Sequence, residues 1–208
     1  IAWTTHMRFE KSLLEDQVWQ DAKASGCKYL HFGYESGNER VLKLMDKATT
    51  TEIMTKHLKY TAEAGIWNHC MGFFGFPGET REEAWSSVEF LEQNRDYVHS
   101  LGFGTFDLGR HNPVAKHPEK FGVTAYKNPE WDLALDYYFT VKQGLSIEEA
   151  ERVFEEFERN HNPGWDLRLF IREYIFLYIA QFGLQKLPDL QFRSARVATV
   201  PPSLAGKM

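Results

Sequence analysis

The sequence is poor in cysteine, with Cys27 and Cys70 alone in 208 residues and far apart along the chain. Two isolated cysteines exclude a disulfide framework, because such a framework needs several cysteines at regular spacings. They also exclude a closely spaced cysteine motif for a metal ion. Low cysteine use fits a reducing compartment, and we expect a cytoplasmic protein.

The sequence also lacks an excess of positive charge and a long uncharged apolar run. The formal net charge is −5, so the composition indicates no nucleic-acid partner. The most apolar stretch, residues 167–184, contains Arg168, Arg172 and Glu173. Charges inside this span favour a buried amphipathic helix over a membrane crossing. We therefore expect neither a nucleic acid nor a membrane as a partner.

Apolar runs alternate with helical patterns through the first half of the chain. The composition, 43% hydrophobic and 15% aromatic, is sufficient for a substantial core. Strands are predicted over Ile1–Arg8, Lys28–Tyr34, Trp67–Phe76 and Gly102–Leu108. Helices are predicted between them over 12–26, 39–45, 49–65 and 80–95. This rhythm indicates an α/β fold with βα units and a parallel sheet, although four strands are too few to close a barrel.

Several of the predicted helices begin with a serine or threonine that is followed three residues later by glutamate. This pattern is a capping box, in which each side chain bonds to the other residue's backbone N–H. The pairs are Ser12 with Glu15, Thr49 with Glu52, Thr80 with Glu83, and Ser146 with Glu149.

The strand and helix rhythm ends after Leu108. A polar loop with several prolines is predicted over His111–Pro129, followed by helices over 130–143, 146–160 and 166–183. The periodicity then fades, which predicts a poorly ordered tail. We divide the chain into residues 1–110, a helical region over 111–187, and a tail over 188–208.

Two strand-to-helix corners carry the functional signal. In the first corner Glu35 follows a predicted strand, and its carboxylate is suited to accept hydrogen bonds from both hydroxyls of a ribose. Gly33, two residues earlier on the same face, leaves room for a flat ligand against the backbone. The alternative is that Glu35 only stabilises the positive end of the following helix.

The second corner is Gly75–Thr80, which reads Gly-Phe-Pro-Gly-Glu-Thr. Pro77 favours extended geometry at Phe76, and Gly78 is able to take a positive φ. The resulting sharp turn leaves backbone amides and carbonyls for the edge of a purine. The alternative is a rigid turn without a ligand, which is common for Pro-Gly pairs. The carboxyl ends of parallel strands are where such sites form, so the two corners together predict a nucleoside site.

The stretches 33–50, 63–66 and 72–84, in this order and spacing, resemble the later part of the radical S-adenosylmethionine (radical SAM) barrel. The opening Trp3–Arg8 resembles the third strand of that family. The likeness covers about residues 1–110 and is greatest to the branch that often carries an upstream cobalamin-binding domain.

The resemblance implies a partial TIM-like (β/α) barrel, containing about its last four strands and followed by helices. It implies that Glu35 and Ser36 approach the ribose of S-adenosylmethionine, that Gly75–Gly78 lies near its adenine, and that Arg8 points to the methionine or substrate region. The family's three-cysteine loop, which binds a 4Fe-4S cluster, is absent from this sequence. We therefore expect the native start to lie upstream of Ile1 and the chain shown to be inactive alone.

For the complete protein the resemblance implies radical chemistry or methyl transfer on an unidentified small molecule or peptide. The implied cofactors are S-adenosylmethionine, the 4Fe-4S cluster and, through an upstream domain, cobalamin. An electron donor is the implied partner.

Two other functions stay open at the level of sequence. Predicted strands carry His6, His31 and His69, which would bind zinc or iron if the three imidazoles converged, as in metal-dependent barrel hydrolases. Neither a His-x-His pair nor a downstream aspartate completes such a site. The second alternative is a non-catalytic remnant that serves as an interaction module, or a piece of a longer chain.

Overall fold

The computed structural model describes residues 1–126, 135–160 and 172–184. Its main feature is a parallel sheet of four strands in the order β1-β2-β3-β4. The strands are β1 (Trp3–Met7), β2 (Cys27–Glu35), β3 (Trp67–Phe74) and β4 (Ser100–Thr105). Sequential neighbours pair throughout, so the predicted α/β fold with βα units is confirmed.

Helices connect the parallel strands and continue beyond them. The first group is α1 (Asp16–Ala24), α2 (Glu39–Leu44), α3 (Thr51–Glu63) and α4 (Arg81–Gln93). The later helices are α5 (Pro113–Lys116), α6 (Ile147–Asn160) and α7 (Arg172–Phe182). Short 3-10 turns cover Lys11–Leu13 and Pro118–Phe121.

Side chains alternate between the two faces of the parallel sheet, because successive strand residues point in opposite directions. On the helix face, Leu30 and Phe32 of β2 are fully buried with Met54 and Leu58 of α3. On the opposite face, which we call the histidine face, His31 contacts its neighbours on β1 and β3. The histidine face is the side toward which the first corner directs Glu35.

A second, antiparallel sheet corrects the helix prediction over residues 136–141, whereas residues 130–134 of that prediction lie outside the described residues. The strands β5 (Leu108–Gly109), β6 (Val123–Tyr126) and β7 (Asp136–Val141) pair in the order β5-β7-β6. The predicted helix is therefore wrong over 136–141, where aromatic and β-branched residues form a strand instead. The loop predicted over 111–129 is also wrong in part, because it contains α5, a 3-10 turn and β6.

Side-chain caps at the helix starts test the predicted capping boxes. The capping box of Thr80 and Glu83 is confirmed at the start of α4, and the reciprocal bonds of Ser146 and Glu149 are also present. The cap of α3 lies one residue later than predicted, at Thr50, whose side chain accepts from the Ile53 N–H.

The capping box predicted at Ser12 is wrong, because Ser12 lies in the 3-10 turn and α1 begins after Glu15 without a side-chain cap. The strand predicted over Trp67–Phe76 ends earlier, at Phe74. The strand predicted over Gly102–Leu108 ends at Thr105, and Leu108 belongs to the antiparallel sheet instead.

The predicted start of the last helix, residues 166–171, and the predicted tail, 188–208, lie outside the described residues. The three-part division of the chain stays a prediction. Within the part of the chain that the structure describes, none of the helices combines the length and apolarity needed to cross a membrane.

Candidate functional site

The first corner places Glu35 at the end of β2 in an unusual backbone conformation. Its φ is +63°, a left-handed value that is uncommon outside glycine. The pairing between β2 and β3 shifts between Gly33 and Glu35, which marks a bulge at Tyr34. The bulge interrupts the regular pairing at this strand end, and Glu35 lies on the same face as Gly33.

The Glu35 carboxylate lies above Gly33 on the histidine face. A methyl group on Gly33 would stand 3.1 Å from Glu35 Oε1 and 3.8 Å from the Met7 carbonyl oxygen. Lys47 Nζ donates to Glu35 Oε1 at 2.8 Å, and both side chains are partly exposed. Gly33 therefore keeps open the space into which the carboxylate projects, and Lys47 supplies the countercharge.

A small cavity of about 70 Å³ adjoins this corner. Its lining includes Arg8, Gly33, Asp46 and Lys47. Arg8 follows β1 and is exposed, so the structure brings three predicted residues, Arg8, Gly33 and Glu35, to neighbouring strand ends. Charged groups of both signs around one concavity are able to bind the polar end of a zwitterionic ligand.

Ser36 takes a different position from Glu35. Its side chain is fully buried, its hydroxyl lies 3.0 Å from Ser87 Oγ, and it accepts from the Asn38 N–H. Tyr34 also reaches α4, donating its hydroxyl proton to the Ser87 carbonyl at 2.7 Å. The Ser36 side chain thus faces α4, and its predicted approach to a ribose stays a prediction.

The second corner turns through two glycines with positive φ, Gly75 at +86° and Gly78 at +88°. A methyl group on Gly75 would come within 2.6 Å of Ala150 Cβ, so the turn packs tightly against α6. Phe76 and Pro77 are buried, and the Phe76 ring contacts the rings of Phe106 and Phe121. The backbone of Gly78 is therefore the more accessible part of this corner.

A polar network, which the sequence did not indicate, holds the two corners together. Arg40, in α2 after the first corner, donates to the Gly78 carbonyl at 2.6 Å and forms an ion pair with Glu83. Asn38 Nδ2 donates to Ser86 Oγ at 3.1 Å. The hydrogen bonds of Glu83 and Arg40 lower the pKa of Glu83 and raise that of Arg40. These contacts fix the first corner relative to α4, which begins at the second.

Glu79 is a further residue of the second corner, and the sequence pattern did not indicate its burial. It is fully buried, and its Oε2 accepts from the Gly75 N–H at 2.6 Å. Burial raises its pKa to about 7, and the amides of Gly75 and Phe76 oppose that rise. The residues next to Glu79 in the sequence do not indicate that its side chain is buried. The burial depends on α6, which lies far away in the chain.

The three strand histidines lie in register across the histidine face, with His6 paired to His31 and His31 paired to His69. The rings of His6 and His31 are stacked, with centroids 4.3 Å apart and planes 15° from parallel. Stacked rings direct their nitrogen lone pairs along parallel planes, so the two do not converge on one ion. No group of three or more metal-binding side chains occurs among the described residues, and the hydrolase hypothesis gains no support.

The two cysteines do not fit an iron–sulfur cluster. Cys27 begins β2, Cys70 lies within β3, and both are buried in the core on the helix face. Burial raises the pKa of Cys27 to about 11 and that of Cys70 further, which disfavours the thiolates that a cluster requires.

The comparison with protein families matches these corners. A model of the radical SAM superfamily covers residues 4–91, from β1 to α4 and including both corners. Residues 4–91 thus match the radical SAM superfamily in sequence. The resemblance inferred from the sequence is thereby confirmed, and the matched residues contain most of β1 and all of β2 and β3.

Relatives of this chain include two proteins named as methyltransferases. The uncharacterized methyltransferase PH0819 of Pyrococcus horikoshii is 32% identical over 95 residues, which are 45% of this chain and 20% of that protein. Cytidylyl-2-hydroxyethylphosphonate methyltransferase of Streptomyces wedmorensis is 26% identical over 178 residues, 80% of this chain and 32% of that protein. The chain thus spans a third or less of the length of either relative.

The fold is similar to that of solved radical SAM enzymes. The cobalamin-dependent S-adenosylmethionine radical enzyme OxsB, solved with aqua-cobalamin bound, superposes with a TM-score of 0.57 at 14% identity. The match covers 95% of this chain and 34% of OxsB. At this identity the likeness establishes the fold, and it extends beyond the segment that the family model covers.

Proposed function

We propose that this chain supplies the adenosyl-binding part of a radical SAM enzyme that performs radical chemistry or methyl transfer. The observation that carries the proposal is the Glu35 carboxylate, which projects over Gly33 at the carboxyl end of β2. The match of residues 4–91 to the radical SAM superfamily supports it, and the methyltransferase names of two relatives favour methyl transfer.

Glu35 would bind the ribose of S-adenosylmethionine. A carboxylate offers about four lone-pair positions, and Lys47 occupies one of them on Oε1. The remaining positions are sufficient for two ribose hydroxyls. Lys47 supplies the countercharge on one side of the carboxylate and leaves the other side free. Charge-assisted bonds of this kind are stronger than neutral ones.

The adenine would lie across the ends of β3 and β4. The rings of Phe73 and Phe106 are partly exposed there, with centroids 5.7 Å apart. A methyl group on Gly104 would meet no atom within 4 Å, so this strand end is open to a planar group. The partly exposed backbone at Gly78 would bind the purine edge, as the sequence predicted, with the second lone pair of its carbonyl beside the bond from Arg40.

The methionine end would lie toward the small cavity between Arg8 and Lys47. A volume of about 70 Å³ suits a carboxylate or ammonium group and not a whole nucleoside. The two cations there would attract the carboxylate, and Asp46 would attract the ammonium group. When bound, S-adenosylmethionine supplies either a 5′-deoxyadenosyl radical after reductive cleavage or a methyl group.

The other parts of the proposed enzyme lie beyond the residues assigned here. A 4Fe-4S cluster finds no fitting cysteines in this sequence, so no step of the proposal passes through one. Cobalamin enters the proposal through the fold likeness alone, and no residue of this chain is assigned to it. The substrate, a small molecule or peptide, and the electron donor are likewise proposals for the whole protein.

Titration of the chain with S-adenosylhomocysteine, followed by NMR to capture weak binding, tests the adenosyl site. Glu35→Gln is expected to weaken binding by about 1 to 3 kcal/mol, because it removes charge-assisted hydrogen bonds while keeping the side-chain shape. Glu63→Gln makes the same chemical change on the exposed end of α3 and is the matched control. Equal affinity of the two variants would exclude the ribose role of Glu35.

A further inference from the structure

His57 is a buried imidazole that lies outside both corners, on α3. It has no solvent exposure. Its ring packs against Phe9, which follows β1, and against Trp19 of α1, with ring centroids 5.8 Å and 5.5 Å away. Burying a polar ring among aromatic side chains is unfavourable unless a hydrogen bond compensates for the lost hydration. The hydrogen bond that His57 makes therefore indicates what this residue contributes.

One hydrogen bond joins the ring to the turn that follows β1. His57 Nε2 lies 2.9 Å from the carbonyl oxygen of Glu10. A carbonyl oxygen only accepts, so Nε2 carries the proton and is the donor. Nδ1 is buried and makes no hydrogen bond to any residue that the structure describes. Burial also lowers the pKa of His57, which favours the neutral ring with its single N–H on Nε2. His57 is thus a neutral donor that ties Glu10 to α3.

Phe9 anchors the same turn a second time. Its ring stacks on Phe32 of β2, with centroids 4.5 Å apart and planes 7° from parallel. Met7 and Phe9 both pack in the core of the helix face. Successive residues of an extended chain point to opposite faces, so Arg8 between them is directed to the histidine face. The turn therefore holds Arg8 on the face where the Glu35 carboxylate lies.

The turn and the first corner line the same small cavity. Arg8, Phe9 and Glu10 contribute from the turn, whereas Gly33 and Lys47 contribute from the other side of the first corner's ion pair. Arg8 makes no side-chain hydrogen bond or ion pair with any residue in the described ranges. Because its side chain is not fixed by partners of its own, the position of its guanidinium depends on the backbone that carries it.

We infer that His57 is a positioning residue for the methionine end of the ligand, which fixes the Arg8–Glu10 backbone and so the place from which Arg8 meets the ligand carboxylate. This inference rests on the proposed function. His57 does not touch the ligand in this arrangement, because its ring is enclosed on the helix face. Its effect is therefore confined to the amino-acid part of the ligand. Binding of the adenosyl part, which Glu35 would contact, does not depend on it.

Two ligands separate the amino-acid part from the adenosyl part. S-adenosylhomocysteine carries both, whereas 5′-methylthioadenosine lacks the amino-acid part. His57→Phe keeps an aromatic ring without the donor, and His57→Gln retains an N–H donor. In NMR titrations His57→Phe is expected to lose about tenfold in affinity for S-adenosylhomocysteine and less than about twofold for 5′-methylthioadenosine, with rescue by His57→Gln. Equal losses for the two ligands, or no loss for either, would overturn the inference.

A thermodynamic cycle tests whether His57 acts through Arg8. Arg8→Met removes the guanidinium and keeps an unbranched side chain. In the Arg8→Met background, His57→Phe is expected to change the affinity for S-adenosylhomocysteine by less than about twofold, because the group that it positions is gone. A loss of about tenfold that persists in this background would overturn the inference.

Leu58→Val is the control for general destabilisation. It removes buried volume beside His57 on α3 and leaves the bond to Glu10 in place. Its ratio of the two ligand affinities should equal that of the wild type, and a ratio shifted as in His57→Phe would overturn the inference. A wild type that binds both ligands with equal affinity would overturn the positioning role alone. A wild type that binds neither ligand would overturn the proposed function, and the positioning role with it.

Discussion

Arg40 donates to the carbonyl oxygen of Gly78 at 2.6 Å, and this bond joins the two corners of the candidate site. The guanidinium also pairs with Glu83, which in turn accepts from the Thr80 N–H at the start of α4. A residue from the first corner therefore supports the backbone of the second. The two corners behave as one unit in the folded chain, although about 40 residues separate them in sequence.

The Arg40 and Glu83 pair is expected to contribute little to global stability. The Arg40 side chain is 51% exposed, and pairs of this exposure typically contribute less than about 1 kcal/mol. A double-mutant cycle with Arg40→Met and Glu83→Gln, measured by urea denaturation, checks the coupling. A coupling free energy several times larger would mean that the pair organises the fold as well as the corner.

Glu79 is expected to make the stability of the chain fall as the pH rises. Its folded-state pKa is raised to about 7, so between the lower pKa of the unfolded carboxyl and pH 7 the folded state binds more protons. The contribution of Glu79 to stability is therefore largest at acid pH, falls through this window by about 3 kcal/mol, and levels off above it.

Urea denaturation from about pH 5 to about pH 8 measures this dependence. In the Glu79→Gln variant the side chain at this position does not titrate, so most of the fall in stability with rising pH should disappear. Glu82→Gln changes an exposed glutamate in the same helix, and this variant should retain the fall in stability. Parallel pH profiles for wild type and Glu79→Gln would contradict the expectation.

Ser87 is expected to contribute more to stability than its neighbour Ser86. The Ser87 hydroxyl lies against Ser36 Oγ and accepts from the Gly37 N–H at 3.0 Å. Ser87→Ala should cost about 1 to 3 kcal/mol, because it leaves buried polar groups without partners. Ser86→Ala removes a partly buried contact to Asn38 and should cost less. Thermal denaturation measures the stability of the two variants. An equal loss of stability in both would argue against the buried network.

Metal removal is expected to leave the chain unchanged. The stacked rings of His6 and His31 and the absence of a three-residue metal cluster in the described ranges give zinc no complete ligand set. A chelator should not shift the thermal unfolding midpoint, and added zinc should not raise it. Stabilisation by stoichiometric zinc that is lost in His31→Ala would restore the hydrolase hypothesis.

Several features were determined by the sequence alone because their causes are local. The alternation of strands and helices, the capping box at Thr80 and the positive φ of Gly78 all depend on a few adjacent residues. The order and spacing of both corners also sufficed to identify the superfamily that the comparison then confirmed.

Tertiary structure decided the features whose causes lie far apart in the chain. Residues 136–141 form a strand because β5 and β6 pair with them, and no local pattern specified those partners. Glu35 stands beside a bulge against β3, and its partner Lys47 lies beyond α2. Glu79 is buried because Gly144, Leu145 and Ala150 close over the corner. The sequence thus determined which residues stand at the corners, whereas packing between distant segments determined what each side chain meets there.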